Sequence, residues 1–235
     1  MKEDQSLTRQ GEADLRLRSG GGEAISRSLL REHRLELRIG GESWLRLVCT
    51  RRELRQLVLG RLFTDRRIDG PEDVTALEFS PAEDRADISL RPGAGSRSRR
   101  PLEDRSGWRP EDIFRLADHI RREMPLHEET WGTHGCLLMH RGEILCCCED
   151  IGRHNALDKA VGEALLRRLP PEECILYTSG RIASDAAAKA VAAGIPVLVT
   201  KALPTADAVD LARSRGLTLL GRAWAEQYEV YARPV

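Results

Sequence analysis

The chain has 235 residues, a length that suits one large domain or a core with a smaller appendage. Lysine plus arginine equals aspartate plus glutamate at 37 each, and this zero net charge argues against a dedicated nucleic-acid or membrane-surface protein. Hydrophobic residues make up 41% and aromatics 4%, so the core must be aliphatic, and no apolar run approaches the ~20 residues of a membrane span.

The first residues, MKEDQSLTRQGEADLRLRSGGGEA, contain no apolar secretory segment, which points to the cytoplasm. There the six cysteines, at 49, 136, 146, 147, 148 and 174, stay reduced. None forms a CxxC, so neither a zinc knuckle nor a redox dithiol is signalled. Residues 1–30 are polar and hold three consecutive glycines, Gly20 to Gly22, as expected of a poorly ordered tail. HRLELRI, the turn GGES and WLRLVC predict a hairpin over 33–49. Thr50 is placed to cap a following helix, whose apolar residues Leu54, Leu57, Val58 and Leu62 keep helical spacing. Strand-like runs follow at 73–79 and 86–90. The stretch 91–109 is a loop of Pro, Gly, Ser and six arginines. These residues divide the chain into the tail, an N-terminal α+β subdomain over 31–109 and an α/β core over 110–235.

The core opens with a helix over 110–124, bracketed by Pro110 and Pro125. GCLLMH and EILCCC flank the turn RG as a hairpin. Helix 153–168, strand CILYTS, helix 184–193 ended by Gly194, strand IPVLVT, a helix over 205–214 with Thr205 as its cap, and strand LTLL follow in turn. Strands alternating with helices predict right-handed crossovers and a mixed or mainly parallel sheet flanked by helices, an α/β fold.

In such sheets ligands bind beyond the carboxyl ends of the strands. After EILCCC come Glu149, Asp150, Gly152, Arg153, His154 and Asn155. Ser179, Gly180 and Arg181 follow CILYT, Lys201 follows IPVLVT, and Arg222 follows LTLL. Arg153, Arg181, Lys201 and Arg222 then converge beside helix N-termini, an arrangement suited to a polyanion bearing phosphates. Glu149, Asp150, Asp158 and Asn155 are placed to read hydroxyls or ring nitrogens, or to hold the arginines. Helical spacing groups His154 with Asp158, and Asn155 with Lys159. Neither a P-loop nor a GxGxxG is present.

A further cluster, Thr130-Trp131-Gly132-Thr133-His134-Gly135-Cys136, precedes this one. His134, Cys136, His154 and one of Cys146 to Cys148 have zinc-ligand chemistry, but the spacing matches no usual site and no metal is expected. His127-x-Glu129 is half of a zinc deaminase signature whose PCxxC partner is missing. The cysteine run reads as a buried strand. A reactive role needs an exposed thiolate beside cations, and Cys148 lies nearest the polar edge.

The stretch EDIGRHNALDKAVG resembles the hallmark EDVGRHNALDK of the formate dehydrogenase accessory sulfurtransferase family (FdhD). GTHGC is similar to that family's TGG-x-H-x-A segment. YTSGRIASDAAAKAVAAGIPVLVTKALPTADAVDLARSRGLTLLG is similar to its SGR-x-S … GIP … SAPT … GLTL-x-G run. CTRRELRQLVLGRLFTDRRI is similar to its TP…LALGFLFTEGII helix. The resemblance spans roughly residues 33–231. It implies a cytidine-deaminase-like fold without the deaminase zinc, in a cytoplasmic homodimer. It further implies sulfur taken from a cysteine desulfurase and passed to the molybdenum bis(molybdopterin guanine dinucleotide) cofactor of formate dehydrogenase.

Carried over residue by residue, cofactor contacts fall on Gly132, Thr133, His134, Glu149, Asp150, Gly152, Arg153, His154, Asn155, Asp158, Lys159, Ser179, Gly180, Arg181, Ser184 and Lys189. The family's C-terminal contact segment lands on Arg222, Ala223, Trp224, Ala225, Glu226 and Gln227. The family's persulfide relay runs through a CxxC in a mobile loop, and the equivalent stretch here, 91–109, holds no cysteine. Three readings follow: a cofactor carrier without sulfur transfer, a relay moved to Cys136 or Cys148, or a chaperone for another molybdenum or tungsten enzyme. A nucleotide hydrolase or deaminase on the same fold, and a pure protein scaffold, are the rivals from other classes.

Overall fold

The computed structural model describes residues 7–96 and 101–234. The expected tail is, over much of its length, a hairpin: β1 (Thr8–Arg16) and β2 (Gly22–Leu30) pair antiparallel through a turn in which Gly20 and Gly21 take positive φ. The polarity taken as a sign of disorder belongs to a two-stranded ribbon open to water on both faces. Residues 1–6 lie outside the described residues.

A four-stranded sheet follows, ordered β4-β3-β6-β5, from β3 (His33–Ile39), β4 (Glu42–Cys49), β5 (Val74–Phe79) and β6 (Arg85–Leu90). The helix α1 (Leu54–Thr64) runs between its two halves. Thr50 does not cap it. The Thr50 N–H and hydroxyl both donate to Asp150 Oδ2 at 3.0 Å, so the helix starts later, after Glu53 in a left-handed conformation. Of the 91–109 loop, the described parts form neither helix nor strand, and 97–100 lie outside the described residues.

Helix α2 (Pro110–Ile120) stops short of the expected 124. Pro125 opens a second short helix, α3 (Pro125–Thr130), because proline fits a first helical turn better than a last one. The second sheet has six strands in the order β12-β11-β10-β9-β7-β8. They are β7 (His134–His140), β8 (Glu143–Asp150), β9 (Cys174–Thr178), β10 (Val197–Thr200), β11 (Thr218–Trp224) and β12 (Gln227–Ala232). It is mixed, one of the two expected arrangements. β9, β10 and β11 run parallel, while β7 and β12 run against their neighbours. β11 extends past LTLL, and β12, which carries no break signal in the sequence, folds back on it.

Period-two alternation explains both faces of this sheet. Cys136, Leu138, Leu176, Leu198 and Leu219 face one way, towards α4 (Arg153–Leu166), α5 (Ser184–Ala193) and α6 (Ala206–Arg215). Leu137, Met139, Ile175, Tyr177, Val197 and Val199 face the other way, under α2. The first core also takes in Leu35, Leu37, Leu47 and the buried face of α1, so one aliphatic core is continuous across both sheets.

Two contacts lock the halves together. α1 and α4 cross at glycines: a Cβ on Gly60 would lie 1.7 Å from the Asp158 carbonyl oxygen, and one on Gly162 would lie 1.9 Å from the Gln56 carbonyl oxygen. Beside this crossing, two buried lysines reach across. Lys159 Nζ lies 2.7 Å from Asp150 Oδ2 and donates to Thr50 Oγ1 at 2.7 Å and to the Glu149 carbonyl at 3.0 Å. Lys189 Nζ donates to both Asp158 oxygens, at 2.8 and 2.9 Å, and to Thr64 Oγ1 at 2.9 Å. Burial pushes the Asp158 carboxyl above its ordinary value, against the opposing pull of Lys189 and Thr64.

Gly162→Ala should cost about 1–3 kcal/mol in urea unfolding, because the clash is with backbone that cannot rotate away. An unchanged midpoint would contradict the crossing. Asp158→Ala should cost about 3–5 kcal/mol by leaving Lys189 buried with only the more distant Asp65 carboxylate, at 3.7 Å, and the double variant with Lys189→Met should recover most of that loss. A double variant no more stable than the single one would show that the pair does not set the cost.

Candidate functional site

β8 runs parallel to β9 although β7 lies between them, so the carboxyl ends of β8, β9 and β10 share one edge with the start of β7. Hydrogen bonds knit this edge. Gly135 N–H donates to Ser179 Oγ, and Ser179 N–H to the Gly135 carbonyl, both at 2.9 Å. Gly180 N–H donates to Thr178 Oγ1 at 3.1 Å, and Thr200 Oγ1 donates to the Gly180 carbonyl at 2.7 Å. Arg222 N–H donates to the Ala202 carbonyl at 2.9 Å. The start of β7, the turns after β9 and β10 and the middle of β11 therefore form one continuous rim.

The residues expected here separate into two sets. The first faces inward. Glu149 is buried and caps α3 from a distance: its carboxylate accepts from Leu126 N–H at 3.0 Å, His127 N–H at 2.7 Å and Thr133 Oγ1 at 2.8 Å. Asp150 accepts from Thr50, from Gly152 N–H and from Asn155 Nδ2, the last two at 2.9 Å, besides its pairing with Lys159. Asn155 also donates to the Val48 carbonyl at 2.8 Å. With Asp158, Lys159 and Lys189 they form the internal network, and their hydrogen-bonding groups are turned into the protein. Cys136 and Cys148 are buried in the core as well. Burial drives the Cys136 thiol far up. A hydrogen bond to Cys146, then burial, does the same to Cys148.

The second set faces the rim. Arg153 and His154 occupy the first turn of α4, and Arg181 and Ser184 stand exposed ahead of α5 and at its start. Neither helix has a side chain capping its N-terminus, whereas Thr205 caps α6 by accepting from Ala208 N–H. Arg153 crosses directly over Gly180, where a Cβ would lie 3.0 Å from Arg153 Cβ, so the SGR turn needs its glycine for this approach. Arg153 Nε is buried without a hydrogen-bond acceptor. Among the described residues Arg153, Arg181 and Lys201 form no ion pair, although Lys201 Nζ sits 5.1 Å from the centre of the exposed Trp224 ring. Arg222 has a carboxylate, Glu229, at 3.6 Å.

His154 Nε2 lies 2.9 Å from Asp185 Oδ2. His134, half-buried at the start of β7, is held below its ordinary value of 6.5 by burial first and by the nearby Arg153 charge second, so it is neutral at physiological pH. Gly132 is exposed beside Trp131, and Thr133 is buried on Glu149. In the 222–227 segment, Ala223 is buried and its carbonyl accepts the Tyr177 hydroxyl at 2.7 Å. Ala225 and Glu226 form the tight turn into β12, which Gln227 opens opposite Trp224. Trp131, part of the 130–136 cluster but not among the expected contacts, is 83% exposed next to this rim.

This rim can hold an anion. It offers three cations without carboxylate partners among the described residues, two uncapped helix N-termini and a neutral imidazole, and its inward carboxylates are already saturated.

A family description, FdhD/NarQ, matches residues 96–235. Several curated relatives described as the sulfur carrier protein FdhD align over most of the chain. The one from Nocardia farcinica is 34% identical over 86% of this chain and 85% of its own length. The one from Anaeromyxobacter dehalogenans is 32% identical over 92% and 90%, and the one from Staphylococcus haemolyticus is 25% identical over 96% and 95%. Among solved structures, a protein of Desulfotalea psychrophila assigned as a formate dehydrogenase accessory protein superposes with a TM-score of 0.86 at 25% identity, covering 97% of this chain and 98% of that one. The chain belongs to the FdhD/NarQ family of sulfur carriers and formate dehydrogenase accessory proteins.

Proposed function

We propose that the protein binds the molybdenum bis(molybdopterin guanine dinucleotide) cofactor as its cargo at this rim. It then supports sulfuration or delivery of that cofactor to formate dehydrogenase or a related molybdenum or tungsten enzyme. The observation that carries this reading is Arg153. Its Nε is buried without an acceptor, an arrangement that costs free energy unless a ligand oxygen completes it. A pyrophosphate offers such an oxygen, and Arg181 and Lys201 supply neighbouring charge. Trp224 offers a flat face for a purine, and Ser184 and the α5 N-terminus offer donors.

In this reading the protein is a cytoplasmic homodimer that receives sulfur from a cysteine desulfurase. A cytidine-deaminase-like ancestry for the sheet belongs to the same proposal. The buried, proton-bound thiols of Cys136 and Cys148 are poorly suited to carry the sulfur, which favours cofactor holding and delivery as the role of the rim itself.

Guanosine diphosphate is the simplest probe of the rim. By calorimetry, Arg153→Ala and Arg181→Ala should each weaken its binding by about 1–3 kcal/mol, the scale of hydrogen bonds to charged groups. Equal affinity in both variants and the parent would refute the rim as the binding site. His134 gives an independent readout. By NMR its titration midpoint should lie below 6.5 in the free protein and rise when the nucleotide binds, because a nearby anion favours the protonated ring. Because folding favours the neutral ring, the His134 contribution to stability is lost as pH falls through its ordinary value towards the lowered one. A midpoint indifferent to the nucleotide would place the ligand elsewhere.

A further inference from the structure

We propose that the ribbon β1–β2 is the arm by which two copies of this chain associate, with β2 pairing antiparallel to β2 of the partner about a two-fold axis at Ile25. The proposal rests on the homodimer reading above and names the surface that carries it.

The ribbon is short of strands. It runs ~30 Å along its length. Among the described residues its sheet holds β1 and β2 alone, so both outer edges are unpaired. Two of its contacts with the body lie at one end. Thr8 Oγ1 donates to Glu129 Oε1 at 3.1 Å, and a Cβ on Gly132 would meet Leu30 at 3.5 Å. A lone two-stranded ribbon is marginal in water, and further strands make it stable. Its edges carry neither a proline nor a bulge to turn a partner away, and the register runs unbroken from Thr8–Leu30 to Arg16–Gly22.

The hydrogen-bond phase of β2 limits which pairings are open to it. Arg31 N–H donates to the Leu7 carbonyl at 2.8 Å, and Leu17 N–H to that of Gly21 at 3.3 Å. Bonded pairs alternate along an antiparallel ladder. Glu23, Ile25 and Arg27 therefore turn their backbone groups to β1, while Gly22, Ala24 and Ser26 turn theirs outward. A second β2 laid with Ile25 opposite Ile25 lets Ala24 exchange two backbone bonds with the partner's Ser26, and the two-fold axis repeats them. The same register sets Glu23 opposite the partner's Arg27 on each side of the axis, in the non-bonded pairs where side chains approach closest.

The β1 edge offers no such match. An axis at Glu12 sets Glu12 against itself, and one at Ala13 sets Glu12 against Asp14. Charge complementarity thus selects β2, and selects a second copy of it as the occupant. In this register the partner's Gly20 arrives opposite Leu30, close to the exposed Trp131.

Sedimentation equilibrium of the full chain should report a dimer. Oxidised Ile25→Cys should link two chains, beyond any linkage in the unaltered protein, because facing residues of a non-bonded pair stand about 4.5 Å apart at Cα, within disulfide reach. Ala13→Cys, opposite Ile25 inside the ribbon but on its outer strand, should link at least about tenfold more slowly. Glu23→Arg should raise the dimer dissociation constant about tenfold. Adding Arg27→Glu should restore it, which a folding defect would not allow. A chain that stays monomeric would overturn the homodimer reading and this inference together. A dimer that Ile25→Cys does not link, that Ala13→Cys links equally well, or that is indifferent to Glu23→Arg would overturn this inference alone, the copies then meeting at another surface.

Discussion

The fold is organised around a carboxylate and an ammonium group that have left water together. Asp150 and Lys159 are both fully buried, and a pair so placed is stable only when its remaining donors and acceptors are also met. Here they are met from four directions: Thr50 at the end of the first sheet, Gly152 at the mouth of α4, Asn155 within it, and the Glu149 carbonyl on β8. The network fixes the direction in which α4 leaves the sheet. Arg153, one residue past Gly152, is thereby laid over Gly180. The polar string EDIGRHN serves both ends of this arrangement. Its inward members satisfy one another, and its outward members stay available.

That division also explains what could be read from the chain. The alternating strands and helices from 134 to 220 announced themselves through periodicity and through glycine and proline stops, and Thr205 caps α6 as its position suggested. That the turns carrying Arg153, Arg181 and Lys201 share one edge could be read from strand direction, whereas Arg222, expected beyond a strand, lies within β11. Helical spacing placed Asp158 and Lys159 correctly on α4 but could not say which face meets α1. Only the close approach at Gly60 and Gly162 decides that these charges turn inward.

Long-range bonds hid the rest. Thr50 has the chemistry of a helix cap, yet its partner is Asp150, a hundred residues away in sequence. Glu149 caps a helix that precedes it in the chain. The ribbon β1–β2 has no apolar face to advertise it, and β12 is recognisable only once β11 is seen to continue through Trp224. The cysteine run reads as core by composition, and that is correct for Cys148. Leu145 is left unpaired by a register slip in β8, a displacement no periodicity encodes.

The glycine crossing has a mechanical consequence. Two helices already in backbone contact have no slack to close further, so they behave as a welded joint rather than a hinge. The first sheet, α1 and α4 then move as one piece. Accommodation of a large guest must come from the parts that stand outside this weld: the turns at 179–182 and 201–204, the tip of the β11–β12 hairpin, and the β1–β2 ribbon. Shape adaptation is thus confined to the periphery, while the frame that aims Arg153 stays constant whether or not anything is held there.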